Sequence, residues 1–83
     1  MLQVYPNPFS ALTTISWAIP ASENVILKVY NILGSEIATL VMEQQYAGRH
    51  QFIFDARILG AGIYVIHLEA GRYSEYKFIS LVK

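Results

Sequence analysis

Cysteine is absent from the 83 residues, so no disulfide frame, thiolate chemistry or Cys-based metal site is available. Charge is scarce too: six Lys and Arg balance six Asp and Glu, for a formal net charge of zero. The basic residues Lys28, Arg49, Arg57, Arg72, Lys77 and Lys83 are dispersed. That leaves no phosphate-tracking stripe and argues against a nucleic-acid partner. No apolar run approaches the roughly 20 residues that a membrane helix needs. The longest, Val25 to Leu33, is broken by Lys28 and Asn31. The first residues, Met1-Leu2-Gln3-Val4-Tyr5-Pro6, have neither the basic start nor the apolar stretch of a secretory leader. The chain therefore reads as beginning inside a longer polypeptide.

What is present is a small apolar domain. At 54% hydrophobic residues the chain is far from the composition of a disordered tail. Its length allows one domain, residues 1–83, in which nearly every apolar segment must share one core. Five glycines and three prolines punctuate runs rich in Val, Ile, Thr, Tyr, Phe and Trp. Short strands with turn signals at 8–12-residue spacing predict an all-β sandwich or barrel. Ile15, Trp17 and Ile19 alternate with Thr14, Ser16 and Ala18; Val25, Leu27 and Val29 with Ile26, Lys28 and Tyr30; and Phe52 and Phe54 with Gln51, Ile53 and Asp55. Ile63 to Leu68 is apolar on both faces except for His67, which predicts a central, well-covered strand.

Two runs resist a simple reading. In 36–44 the spacing of Ile37, Leu40 and Val41 would suit a helical face, but strands on both sides favour a strand. In the last run Tyr76, Phe78, Ser80 and Val82 alternate with Glu75, Lys77, Ile79 and Leu81, and the pattern does not choose an inward face. With an extended segment near Gln3–Tyr5 the total is seven strands, the size class of an immunoglobulin-like antiparallel β-sandwich. The expected core is Ile15, Trp17, Val25, Leu27, Val29, Phe52, Phe54, Tyr64 and Leu68.

The sequence offers no catalytic constellation. Asp55 is the only aspartate, and Glu23, Glu36, Glu43, Glu69 and Glu75 fall on different predicted elements. His50 and His67 have no neighbouring ligand at metal spacing. A His50–Asp55–serine set lacks a nucleophile elbow and an oxyanion loop. Phosphate and calcium loops are missing as well, so no cofactor is expected. His67 reads as a strand residue on a partly exposed face. Trp17 reads as core, and Tyr30, Tyr46, Tyr73 and Tyr76 as surface aromatics. Such aromatics suit sugar stacking or an ordinary interface. The alternative reading they support is a structural or carbohydrate-binding accessory module of a secreted glycoside hydrolase.

Two motifs stand out. In Tyr5-Pro6-Asn7-Pro8-Phe9 the prolines hold the preceding residues extended, Asn7 can close a turn, and Tyr5 and Phe9 would anchor the segment. On physical grounds this is an edge strand whose prolines block further pairing. In Leu59-Gly60-Ala61-Gly62-Ile63-Tyr64 a glycine turn leads into a strand as in a tyrosine corner, a folding device.

Together with Val25-x-Leu27-x-Val29-Tyr30-Asn31-x-x-Gly34, Phe54-Asp55, Leu68-x-Ala70-Gly71 and the apolar run ending at Lys83, these motifs carry a resemblance along nearly the whole chain. The chain resembles the C-terminal sorting domain of proteins exported by the type IX (Por) secretion system. More distantly, it is similar to the Ig-like domain of flagellar hook-capping proteins. The resemblance implies a non-catalytic Ig-like label at the end of a secreted cargo. Its implied partners are that N-terminal cargo domain, the outer-membrane secretion machinery and a surface transpeptidase. The implied route runs through the periplasm and outer membrane to the cell surface. The family's start motif falls on Pro6, Asn7 and Pro8, and its glycine-tyrosine motif on Gly62 and Tyr64. Its basic-apolar tail falls on Lys77, Phe78, Ile79, Leu81, Val82 and Lys83. Asn31 stands where Asp is usual, Ser35 where a basic residue often follows the glycine, and Tyr76 where a second basic residue is frequent. Tyr76–Lys83 is the expected recognition segment, read by strand addition at its edge. Zero net charge and high apolar content also predict weak self-association.

Overall fold

In the computed structural model, residues 2–83 are described, and every apolar run between turn signals is a strand. The order is β1 (Leu2–Tyr5), β2 (Leu12–Ile19), β3 (Glu23–Asn31), β4 (Glu36–Gln45), β5 (Gly48–Asp55), β6 (Gly62–Ala70) and β7 (Tyr73–Leu81). All strand pairs are antiparallel: a three-stranded sheet β1-β2-β5 faces a four-stranded sheet β4-β3-β6-β7. This is an immunoglobulin-like sandwich in which the fourth strand pairs with the third instead of joining the first sheet.

Period-two alternation decides what is buried. On β2, Thr13, Ile15, Trp17 and Ile19 point inward, met by Val25, Leu27 and Val29 from β3 and Ile66, Leu68 and Ala70 from β6. Each fully buried Val, Leu or Ile contributes roughly 1.5–3 kcal/mol, and β2, β3 and β6 carry most of the core. The indole of Trp17 donates from Nε1 to Gln45 Oε1 at 3.0 Å, a side-chain bond from one sheet to the other.

The expected core needs two corrections. Phe52 and Tyr64 lie near the sandwich margin, half-buried against the core, while Leu2, Phe9, Ile19, Ala56, Ile66, Ala70, Ile79 and Leu81 complete it. β6 is central in its sheet, as expected, but covered on one face only: Ile63 is exposed and Val65 and His67 are half-buried.

β4 explains its helix-like spacing. Leu27 pairs with Val41 and Lys28 with Thr39, leaving Leu40 unpaired; Val29 pairs with Ala38 and Tyr30 with Glu36, leaving Ile37 unpaired. Each extra residue is a β-bulge that resets the alternation. Two bulges in one strand give apolar residues a spacing that is neither 2.0 nor 3.6.

Gly34 closes the β3–β4 turn with φ +91°, a conformation that favours glycine. Asn31 holds the same turn: its Oδ1 accepts from Leu33 N at 3.0 Å and Ser35 N at 2.9 Å. Both bonds need only an acceptor, so Asn serves here as Asp would.

Candidate recognition surface

The chain leaves β1 at Pro6, whose lack of an N–H ends the ladder. The Tyr5–Pro6 and Asn7–Pro8 bonds are both cis. Thr13, the buried polar residue of β2, donates from Oγ1 to the Pro6 carbonyl at 2.7 Å and so is satisfied. Tyr5 does not anchor this segment, since its side chain is 81% exposed. Phe9 does: it is buried, with its ring 6.4 Å from that of Phe54.

Beyond Pro6 the segment crosses to β7 and lies along its outer edge. Asn7 Nδ2 donates to Phe78 O at 3.1 Å, and Asn7 Oδ1 accepts from Ser80 N at 3.0 Å. One side-chain amide thus satisfies a carbonyl and an N–H that a further strand would otherwise take. Phe9 continues the pairing through its backbone, with N donating to Ser80 O at 3.0 Å and O accepting from Val82 N at 2.9 Å. The outcome is a parallel bridge between Phe9 and Leu81. Upstream, β1 lies against β7, and Leu2 N donates to Glu75 Oε1 at 3.0 Å. Tyr73 donates its hydroxyl to the same Glu75 oxygen, and this bond to a carboxylate holds the phenol's pKa above its ordinary value.

The glycine-tyrosine motif adjoins the same strand from the other side. Gly62 pairs with Leu81 and Tyr64 with Ile79. The Tyr64 hydroxyl donates to Gly60 O at 2.6 Å, four residues upstream, which makes it a tyrosine corner. Lys83 folds back onto the same turn, donating from Nζ to Arg57 O at 3.0 Å and to Leu59 O. At the start of the turn Arg57 meets Asp55 at 2.6 Å and holds that carboxyl below its ordinary range.

The structure therefore gathers Pro6, Asn7, Pro8, Gly62, Tyr64, Phe78, Ile79, Leu81, Val82 and Lys83 around the C-terminal half of β7. They differ in accessibility. Ile79 and Leu81, each 1% exposed, are core, and they settle the inward face of β7. Phe78 is 64% exposed on the outer face, with Tyr76 and Val82 also open. Lys77 shares the inward parity of Ile79 but stays half-exposed, as an edge strand allows. The expectation that a receptor strand adds along this edge meets an obstacle. From Phe78 to Val82 the outward backbone groups are already bonded to Asn7 and Phe9.

Beside this edge, the outer face of the four-stranded sheet carries an aromatic row. His67 stacks on Tyr76 with centroids 4.2 Å apart and planes 8° from parallel, and Tyr30 lies 6.4 Å beyond. His67 Nε2 is 2.9 Å from Ser74 Oγ. At the far side Lys28 bonds Glu36 at 3.1 Å, which raises the ammonium pKa. The Lys28 bond, helped by one from Thr39, lowers that of the Glu36 carboxyl. Among the described residues no group of three or more His, Asp or Glu side chains comes together to hold a metal ion.

Nothing in the sequence announces the Thr13–Pro6 bond, the Leu2–Glu75 bond or the Phe9–Leu81 bridge. The partners lie 7, 73 and 72 residues apart in sequence, and no local pattern signals those contacts. In form the molecule is a small Ig-like sandwich whose two terminal segments are bonded along one sheet edge. A family model described as a secretion system C-terminal sorting domain matches residues 3–81, and the chain belongs to that family. It is thus a type IX C-terminal sorting domain of a secreted or cell-surface protein, in a family that is typically non-catalytic. Its role implies contact with secretion machinery and with a cargo, and it does not favour the accessory-module alternative. No curated protein matches the chain. No helix among the described residues is long and apolar enough to cross a membrane.

Proposed function

We propose that residues 1–83 form one non-catalytic domain at the end of a longer secreted protein, and that the β7 margin is the part its receptor reads. The observation that carries this reading is the Asn7 amide bonded to both Phe78 O and Ser80 N. It merges the start motif and the tail into one surface. Within that surface Ile79, Leu81 and Tyr64 set the shape, while Pro6, Asn7, Pro8, Phe78, Val82 and Lys83 are open to a partner. Lys77, half-exposed, contributes charge beside them. Gly62, exposed where β6 begins, keeps the adjoining turn free of a side chain.

In this reading the receptor meets side chains on the outer face of β7, because the backbone edge is closed from Phe78 onward. The cargo crosses the periplasm and outer membrane by this route, and a surface transpeptidase then removes the domain. Weak self-association accompanies the low charge.

The test is export of a periplasmic reporter fused to this domain, in a host with the machinery. Truncation after Glu75 removes the core residues Ile79 and Leu81 and should abolish export. Phe78→Lys with Val82→Lys changes only exposed positions, so it should keep the melting temperature and still block export. Normal export of the folded double variant would refute the outer-face reading.

A further inference from the structure

A sandwich of two open sheets has four edges, and this one treats them unequally. The β7 edge is occupied by Asn7 and Phe9. The β1 edge is four residues long and ends at Pro6. The β4 edge is broken by the bulges at Ile37 and Leu40, a common guard against strand pairing. β5 has none of these guards. It is eight residues long, its register with β2 is continuous from Gly48 to Asp55, and no backbone bond reaches residues 49–55 from outside that pair among the described residues.

Its side chains specify what could add there. On the outer face of the sheet stand Arg49, Gln51, Ile53 and Asp55. Ile53 is 61% exposed, and Arg49 forms no hydrogen bond or ion pair among the described residues. On the other side of the strand, half-buried Phe52 borders an apolar groove lined by Ile37, Leu40, Ile58 and Leu59.

From this we infer that β5 is a self-pairing edge, and that its partner is β5 of a second copy, antiparallel about a two-fold axis at Phe52. That register places each Arg49 opposite the other copy's Asp55, each Gln51 opposite Ile53, and the two Phe52 residues against each other. It joins two three-stranded sheets into one of six strands and covers the groove from both sides. Parallel pairing would set like charges together, and so would antiparallel registers centred on Arg49 or Asp55. Among antiparallel registers only the Phe52-centred one sets Arg49 opposite Asp55, and the isologous geometry makes that pair twice. Asp55 keeps its bond to Arg57 and remains accessible, with 45% of its side chain exposed.

Sedimentation of the 83-residue chain over a concentration series tests the inference independently of the sorting role. A concentration-dependent dimer is expected. Arg49→Asp, an exposed change that breaks no internal bond, should raise its Kd about tenfold or more. Asp55→Lys should weaken the dimer likewise, and an equimolar mixture of the two variants should restore it, because the mixed pair regains both opposite-charge contacts. A wild-type chain that stays monomeric at about 1 mM, or a folded Arg49→Asp chain that dimerises like wild type, would overturn it.

Discussion

Asn7 is the single side chain on which closure of the β7 edge turns, and its replacement can be worked through quantitatively. Asn7→Ala deletes the donor to Phe78 O and the acceptor from Ser80 N. Both bonds lie at the surface, where water replaces part of what is lost, so each contributes about 0.5–1 kcal/mol net. The expected loss is about 1–2 kcal/mol. For a domain of this length the unfolding entropy is about 0.17 kcal/mol per kelvin, which converts the loss to a fall in Tm of about 6–12 °C. Asn7→Asp is the sharper variant. It keeps an acceptor for Ser80 N but presents an ionised oxygen to the Phe78 carbonyl, so near neutral pH it should be no more stable than the alanine variant. A protonated carboxyl can donate to Phe78 O, which raises the folded-state pKa of the introduced carboxyl. The stability it adds is then present below about pH 4 and lost as pH rises through that pKa. Thermal melts of wild type and both variants at neutral and acid pH, with hydrogen exchange at the Ser80 amide, provide the readout. An alanine variant melting within about 1 °C of wild type, with Ser80 still protected, would refute the account.

Other perturbations probe the remaining supports. Tyr64→Phe removes only the hydroxyl that reaches Gly60 O, and should cost about 1 kcal/mol with no change in the denaturant m-value. Trp17→Ala empties a core position and releases Gln45, a loss of about 3–5 kcal/mol that urea unfolding would reveal as near-complete loss of the native state. Glu36 and Asp55 both have carboxyl pKa values below their unfolded ones, through Lys28 and Thr39 and through Arg57. Their contribution is therefore present above the ordinary carboxylate range, near about pH 4, and lost as pH falls through the folded values. Urea midpoints measured down the acid limb should decline less steeply in Asp55→Asn, and the difference should shrink in high salt.

β2, β3 and β5 were legible because one face meets the core and the other meets water, so alternation alone separates Ile15 from Ser16 and Leu27 from Lys28. β7 was not. Its outer face carries Tyr76, Phe78 and Val82, so apolar residues occupy both parities and the period-two signal cancels. β4 was blurred by its bulges, which only the partner strand exposes. The family motifs named residues that the fold brings together, but spacing along a chain does not show that Asn7 lies against Ser80. That contact spans 73 positions and exists only once both sheets have assembled. Tyr5 is no anchor, because the chain turns at Pro6 and leaves its ring in solvent, a turn the local pattern does not reveal.

The bridge between Phe9 and Leu81 makes this sandwich a test of completeness. A ribosome that stops before Phe78 leaves the Asn7 amide and the Phe9 backbone without their β7 partners, and the core without Ile79 and Leu81. Contacts of such long span form late and together. A chain terminated before β7 would thus carry no finished tag, and only a polypeptide translated through that strand could present one.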